Sequence, residues 1–104
     1  MLGFKKEISE KEFKSIINTA NQSLMFNTSD PTGSGKDYVE IMPSLTLGGF
    51  IELYHDRENN KYRMVVGYTD NNDPVILLLY LLGIVVTFVP DKDKKKYSKK
   101  DEPA

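Results

Sequence analysis

The sequence predicts an α+β fold in which an N-terminal amphipathic helix covers a small antiparallel sheet of about four strands. Three observations indicate this class: a capped segment with helical periodicity, several short β-rich runs, and turn-rich stretches between them. A chain of 104 residues, 39% of them hydrophobic, has material for one core. We therefore expect a single domain over residues 1–90 and a disordered, lysine-rich tail over residues 91–104.

The first helix is predicted from its N-terminal signal and from its periodicity. Ser9 and Glu12 have the spacing of a capping box, in which the side chain of each residue binds the backbone N–H of the other. Apolar residues then recur at helical spacing on one face: Phe13, Ile16, Ile17, Ala20 and Leu24. These signals predict a helix over about residues 9–23 that lies on an apolar surface.

Three strands are predicted before the apolar C-terminal run. Residues 38–42 form a short β-rich segment that ends at Pro43, and residues 27–37 before it have the composition of a loop. Residues 50–55 and 61–69 are predicted to pair as a hairpin across a turn of two or four residues.

The hairpin has the same buried face with either turn, because the two turns differ by an even shift of register. The side chains expected on that face are Ile51, Leu53, Met64 and Val66. Glu52, Tyr54 and Arg63 fall on the opposite face as near neighbours. Tyr54 and Arg63 are therefore candidates for contact with a partner.

The run at residues 75–89 has no charged residue and is flanked by prolines. Asp73 is a favourable N-cap, Pro74 suits the first helical position, and Gly83 can end a helix in the left-handed conformation. We therefore predict a short second helix near residues 74–82, followed by a β-branched strand over residues 84–89. Two strands hinged at the glycine are disfavoured, because the leucines before it prefer helix.

A transmembrane helix is the alternative structure for residues 75–89. Fifteen residues span about 22 Å as a helix, whereas the hydrocarbon core of a bilayer is about 30 Å thick. The lysines that follow would hold the tail in the cytoplasm and place the N-terminal domain outside, although no secretory signal is evident. A membrane-anchored small subunit is thus a second hypothesis that we do not prefer, and we expect a cytoplasmic protein.

The composition argues against several kinds of catalytic and metal site. The sequence has no cysteine, and His55 is its one histidine, so thiolate catalysis, sulfur-ligated zinc and histidine-based hydrolysis lack their residues. His55 is expected to be a partly covered residue at a strand end. No spacing of carboxylates marks an acid–base pair. We predict a protein that is not an enzyme, with no catalytic residues, no cofactor and no metal.

A third hypothesis is a small protein that responds to nucleotides or nucleic acid. Residues 31–36 (PTGSGK) resemble the centre of a phosphate-binding loop, but Asp30 replaces its first glycine and Asp37 stands where a Mg²⁺-binding Ser or Thr belongs. The tail mixes acidic residues with its lysines, and the whole chain has a net charge of −1. Nucleic acid is therefore not expected as a partner.

The second predicted helix favours association as the function. A small monomer cannot easily cover every side of a helix that is apolar all round, so part of it is expected to form an interface. The predicted contact residues are Val75, Leu78, Leu79, Leu82, Tyr54 and Arg63. We predict a small binding module that acts by protein–protein association, as an accessory, scaffold or inhibitor protein or by forming a homodimer.

Overall fold

A computed structural model describes residues 1–30 and 37–84 of the chain. They form two helices and one five-stranded antiparallel sheet, which is an α+β architecture. In chain order the elements are β1 (Leu2–Ile8), α1 (Glu10–Asn21), β2 (Phe26–Ser29), β3 (Tyr38–Pro43), β4 (Phe50–Asp56), β5 (Lys61–Tyr68) and α2 (Pro74–Leu81). The strands lie in the order β1-β5-β4-β3-β2, so β1 and β2 are the two edges of the sheet.

The start of α1 confirms the predicted capping box. The backbone N–H of Ser9 donates to Glu12 Oε1 at 2.9 Å, and the backbone N–H of Glu12 donates to the Ser9 hydroxyl at 3.0 Å. Phe13, Ile16 and Ala20 are buried. The helix contacts β2, β3 and β5, and it therefore covers one face of the sheet as predicted.

The sequence places Leu24 on the buried face of α1, and that expectation is wrong. The helix ends at Asn21 with Gln22 as its C-cap, so helical periodicity no longer applies at residue 24. Leu24 is 92% exposed.

β4 and β5 form the predicted hairpin with the longer of the two turns. The turn consists of residues 57–60, and Asn60 has a φ of 52°, a left-handed conformation that asparagine tolerates. The four side chains predicted on the buried face are each at most 1% exposed: Ile51, Leu53, Met64 and Val66. The even shift between the two candidate registers is the reason that the face was predictable.

β1 and β2 are not among the strands that the sequence predicts. Together with the three predicted strands β3, β4 and β5 they form a sheet of five strands, where about four are expected. In β1 the partly buried Lys6 interrupts the alternation of apolar residues on the inner face. β2 has only four residues, and Asn27 and Ser29 are common in turns. The loop predicted over residues 27–37 is therefore wrong for residues 27–29, which are strand.

Two predicted features lie outside the described residues. The strand expected over residues 84–89 is one of them, except for Ile84, which is buried and belongs to no strand. The tail at residues 91–104 is the other. Residues 31–36, which resemble a phosphate-binding loop, are also outside the described ranges.

α2 has the boundaries that the sequence signals predict. Asp73 is its N-cap and Pro74 its first residue, and Gly83 follows with a φ of 74°. Neither α1 nor α2, the helices of the described residues, has the length and hydropathy that a membrane-spanning helix needs.

The carboxylate of Asp73 is buried and joins α2 to the sheet. Its Oδ2 accepts the Thr69 N–H at 2.8 Å and the Thr69 hydroxyl at 3.0 Å, and its Oδ1 accepts the Val75 N–H at 3.1 Å. Burial on its own raises the pKa of Asp73, but the backbone N–H groups of Thr69, Gly49 and Val75 outweigh that effect and lower the pKa. The fold therefore stabilises the ionised form of this side chain.

Replacing Asp73 by alanine is expected to lower the free energy of unfolding by about 1–3 kcal/mol, because several N–H groups lose their acceptor. Urea unfolding of the wild type and of D73A measures this loss. Asp70→Ala is the matched control, since the Asp70 carboxylate accepts the Asn72 N–H in an exposed part of the same turn. Equal losses in the two variants would contradict a special role for Asp73.

The stabilisation by Asp73 is expected to depend on pH. An aspartate in an unfolded chain has a pKa of about 3.9, and the pKa of Asp73 is lower than this in the folded protein. The stabilisation is therefore complete above the unfolded pKa and is lost as the pH falls through the folded pKa. The difference in unfolding free energy between the wild type and D73N should be constant from about pH 6 to 8 and shrink below about pH 4. A difference that persists unchanged at about pH 2 would be the contrary result.

Candidate functional site

One face of the sheet is covered by no helix or strand of the described residues. Both helices pack on the other face, where they share one core with the inward side chains of the strands. Since successive side chains of a strand point to opposite faces, the residues between the buried ones lie on the uncovered side. We call this side the open face. Its two central rows across the strands are Tyr38, Tyr54, Arg63 and Glu7, and then Glu40, Glu52, Val65 and Lys5.

Aromatic side chains occupy the middle of the open face. Tyr38 lies opposite Tyr54, with ring centroids 4.8 Å apart. The guanidinium carbon of Arg63 lies 4.7 Å from the centre of the Tyr54 ring, a distance typical of a cation–π contact. The structure thus brings together Tyr54 and Arg63, the two contact residues predicted on the sheet.

Each of these tyrosines binds a glutamate on its own strand. The Tyr38 hydroxyl donates to Glu40 Oε2 at 3.0 Å, and the Tyr54 hydroxyl donates to Glu52 Oε1 at 3.0 Å. Burial raises the pKa of both phenols, and the hydrogen bonds to the glutamates raise it further. These bonds hold the rings and the carboxylates in a defined arrangement.

Phe50 is the first residue of β4, and it extends the aromatic surface toward that end of the strand, away from Tyr54. Its ring packs over Gly67 of the neighbouring strand, and a Cβ added at that glycine would lie 2.4 Å from Phe50 Cε2. Because that distance is far below van der Waals contact, the ring can lie flat here only if residue 67 is glycine. The open face therefore has apolar surface at Phe50, Tyr54 and Val65, which surround Glu52.

A second exposed surface is apolar and lies where β2 begins and β3 ends. Ser44 joins the two segments, because its N–H donates to the Met25 carbonyl at 2.9 Å and its hydroxyl donates to the Leu24 carbonyl at 2.6 Å. Five large apolar side chains of these segments are exposed: Leu24 (92%), Met25 (54%), Met42 (49%), Leu45 (78%) and Leu47 (99%). We call these five residues the leucine cluster.

No local pattern in the sequence predicts the leucine cluster. Its residues follow two different elements, and their proximity depends on the pairing of β2 with β3, in which Phe26 lies opposite Pro43. That pairing was not predicted, because β2 has the composition of a turn.

The side of α2 that faces the sheet contains most of the predicted contact residues. Val75 and Leu79 are fully buried, Leu78 is almost so, and Leu82 packs partly buried against the core. The exposed side chains of α2 are Leu77, Tyr80 and Leu81. Because the helix has no polar stripe, the sequence could not indicate which side faces inward. A partner that binds α2 in the folded chain meets its exposed side.

His55 lies on the helix-covered face at the turn end of the hairpin. Its ring stacks on Tyr62 with centroids 4.2 Å apart and an angle of 1° between the planes. Phe13 of α1 packs on the same tyrosine, with centroids 4.9 Å apart. This position agrees with the partly covered strand end that the sequence predicts. Residues 1–30 and 37–84 contain no group of three or more metal-binding side chains.

Comparison with family models, with curated proteins and with solved structures gives no match to this chain. The two surfaces described above are therefore the basis for a proposed function.

The contact between Tyr38 and Glu40 can be tested by alkaline titration of the tyrosine absorbance. Burial and the bond to Glu40 raise the pKa of Tyr38. The variant Tyr38→Phe is therefore expected to lose absorbance change only at pH values above the ordinary phenol pKa of about 10. Ultraviolet difference spectra of the wild type and Y38F measure this. A loss centred at about pH 10 would show that Tyr38 ionises as a free phenol.

Proposed function

We propose that the protein is a binding module that acts by association with another protein, as an accessory, scaffold or inhibitor protein, and not by catalysis. The observation that supports this function is the leucine cluster, in which Leu24 and Leu47 are 92% and 99% exposed. Single exposed leucines are ordinary on protein surfaces, but here five large apolar side chains are exposed within the two short segments that Ser44 joins, and such a concentration of exposed apolar area indicates an interaction site.

Hydrogen bonds hold the backbone in place where the two segments of the cluster meet. Ser44 links its two segments by two hydrogen bonds, and the β2–β3 pairing fixes the residues that follow Met25. A surface that is already ordered loses less conformational entropy when it binds. The part of the cluster beside these bonds, Leu24, Met25 and Met42, is therefore held in a preformed arrangement.

The chemistry of the cluster indicates what it binds. It has two methionines and three leucines and no charged side chain, so its contacts with a partner are hydrophobic. Methionine is flexible and adapts to irregular surfaces. The partner is expected to present an apolar pocket or groove, and full burial of each leucine contributes about 1.5–3 kcal/mol to binding.

The proposal is tested by capturing a partner from the native source with the tagged wild type, purifying that partner and measuring its Kd. Serine substitutions at Leu24, Leu45 and Leu47 together are expected to raise the Kd at least about tenfold, because about 1.4 kcal/mol of lost burial already produces that change. The fold should be unaffected, since all three side chains are exposed. Circular dichroism checks this.

The matched control places serine at Leu77 and Leu81, which are exposed leucines of α2. This variant is expected to bind the partner as the wild type does. Equal binding by the cluster variant and the wild type would contradict a role for the cluster. Failure to recover any protein that rebinds after purification would contradict the function itself.

A further inference from the structure

The charges of the open face are separated into two halves. Glu40 and Glu52 lie opposite each other on β3 and β4, and Lys5 and Arg63 lie on the neighbouring strands β1 and β5. Glu7 is the acidic exception in the basic half, and Lys61 pairs with it at 3.5 Å. Among the described residues neither Glu40 nor Glu52 forms an ion pair with a basic side chain.

From this arrangement we infer that the open face binds the open face of a second copy of this chain. The inference goes beyond the proposed function, because it concerns a second copy of this chain and the centre of the open face, which the leucine cluster meets at Met42 on β3. A surface with one acidic and one basic half is complementary to itself after a two-fold rotation, and two-fold symmetry is the commonest in homo-oligomers. Two antiparallel sheets that pack face to face form a sandwich with nearly aligned strands.

The charges select the direction of the two-fold axis. An axis parallel to the strands, between β4 and β5, places β4 of one copy over β5 of the other and β3 over β1, so each acidic half faces a basic half. An axis across the strands would place β4 over β4 and β3 over β3, and like charges would repel. A rotation about the axis parallel to the strands also places each row of one copy over the same row of the other copy. Since Glu40 and Lys5 share a row, Glu40 of each copy faces Lys5 of the other, and Glu52 faces Val65, whose neighbour on the same face of β5 is Arg63.

The side chains around Glu52 supply the apolar contacts of this interface. Phe50, Tyr54 and Val65 are only half-buried in the single chain, and aromatic residues are enriched at the centres of protein interfaces. Four strands of about seven residues present roughly 500 Å² of sheet per copy. Two copies then bury about 1,000 Å², which is at the lower limit for a specific interface. The dimer is expected to be weak and to depend on protein concentration.

Sedimentation velocity of the full chain at about 1 µM to about 1 mM, the concentration range of weak association, measures this equilibrium. The wild type is expected to dimerise. Lys5→Glu and Glu40→Lys are each expected to raise the dimer Kd at least tenfold, and the double variant K5E/E40K is expected to restore it to within about threefold of the wild-type value. An equimolar mixture of K5E with E40K is expected to dimerise where each alone does not, because both charge pairs are attractive only in the mixed dimer.

Lys11→Glu is the matched control, since it makes the same change of charge at an exposed position on α1, outside the open face. It should leave dimerisation unchanged. E40K loses the hydrogen bond from the Tyr38 hydroxyl and could fold poorly for that reason. K5E changes only an exposed side chain of an edge strand, so it tests the interface even in that case. Thermal unfolding followed by circular dichroism verifies the fold of each variant.

Three results would overturn the inference. They are a wild type that stays monomeric at the highest concentration, a dimer that neither charge reversal weakens, and a dimer that is lost when serines replace Leu24, Leu45 and Leu47. The first result leaves partner capture by the leucine cluster unaffected, and failure of partner capture leaves the dimer measurement unaffected. The outcomes for the two proposals are therefore separable.

Discussion

Both helices pack on the same face of the sheet, and this one-sided packing determines the chemistry of the remaining surface. Ile16 of α1 and the α2 residues Val75 and Leu79 are completely buried, as are Ile51 and Met64 on the strands beneath them. These side chains form one continuous core. A chain of 104 residues has apolar material for about one such layer. In the described residues, the opposite face of the sheet has no helix to cover it.

Asp73 shows how α2 is held in this arrangement. A buried carboxylate is costly unless hydrogen bonds replace its water, and here the backbone of Thr69 after β5, of Gly49 before β4 and of Val75 in α2 supplies them. The same group therefore caps the helix and joins it to the ends of β4 and β5. Because this link fixes the first turn of α2, it also determines which side of the helix is buried and which side is exposed.

The elements with strong local signals could be predicted from the sequence. The capping box of α1, the Asp73 cap and the Gly83 end of α2 depend on residues close together in the chain. The hairpin face was predictable because alternation in two adjacent strands fixes it, and that also placed Tyr54 beside Arg63. Local chemistry of this kind needs no knowledge of the rest of the fold.

The remaining features depend on contacts between distant parts of the chain. Lys5 shares a row with Glu40 only because β1 pairs with β5 and β3 pairs with β4. The leucine cluster exists only because β2 pairs with β3. The inward side of α2 depends on packing, since its sequence is apolar all round. Pairing of weakly patterned strands is decided by the whole core, so a local reading of the sequence does not reveal it.

Zero-length carbodiimide coupling of an equal mixture of ¹⁴N- and ¹⁵N-labelled chains tests most directly whether the uncovered face is an association surface. Within one chain, Lys5 and Glu40 are separated by β5 and β4, a distance of about 14 Å that an amide bond between the side chains cannot bridge in the sheet. We expect cross-linked peptides that join Lys5 to Glu40 with mixed isotope labels. The complete absence of mixed-label peptides, or mixed-label links confined to other surfaces, would contradict the pairing of open faces.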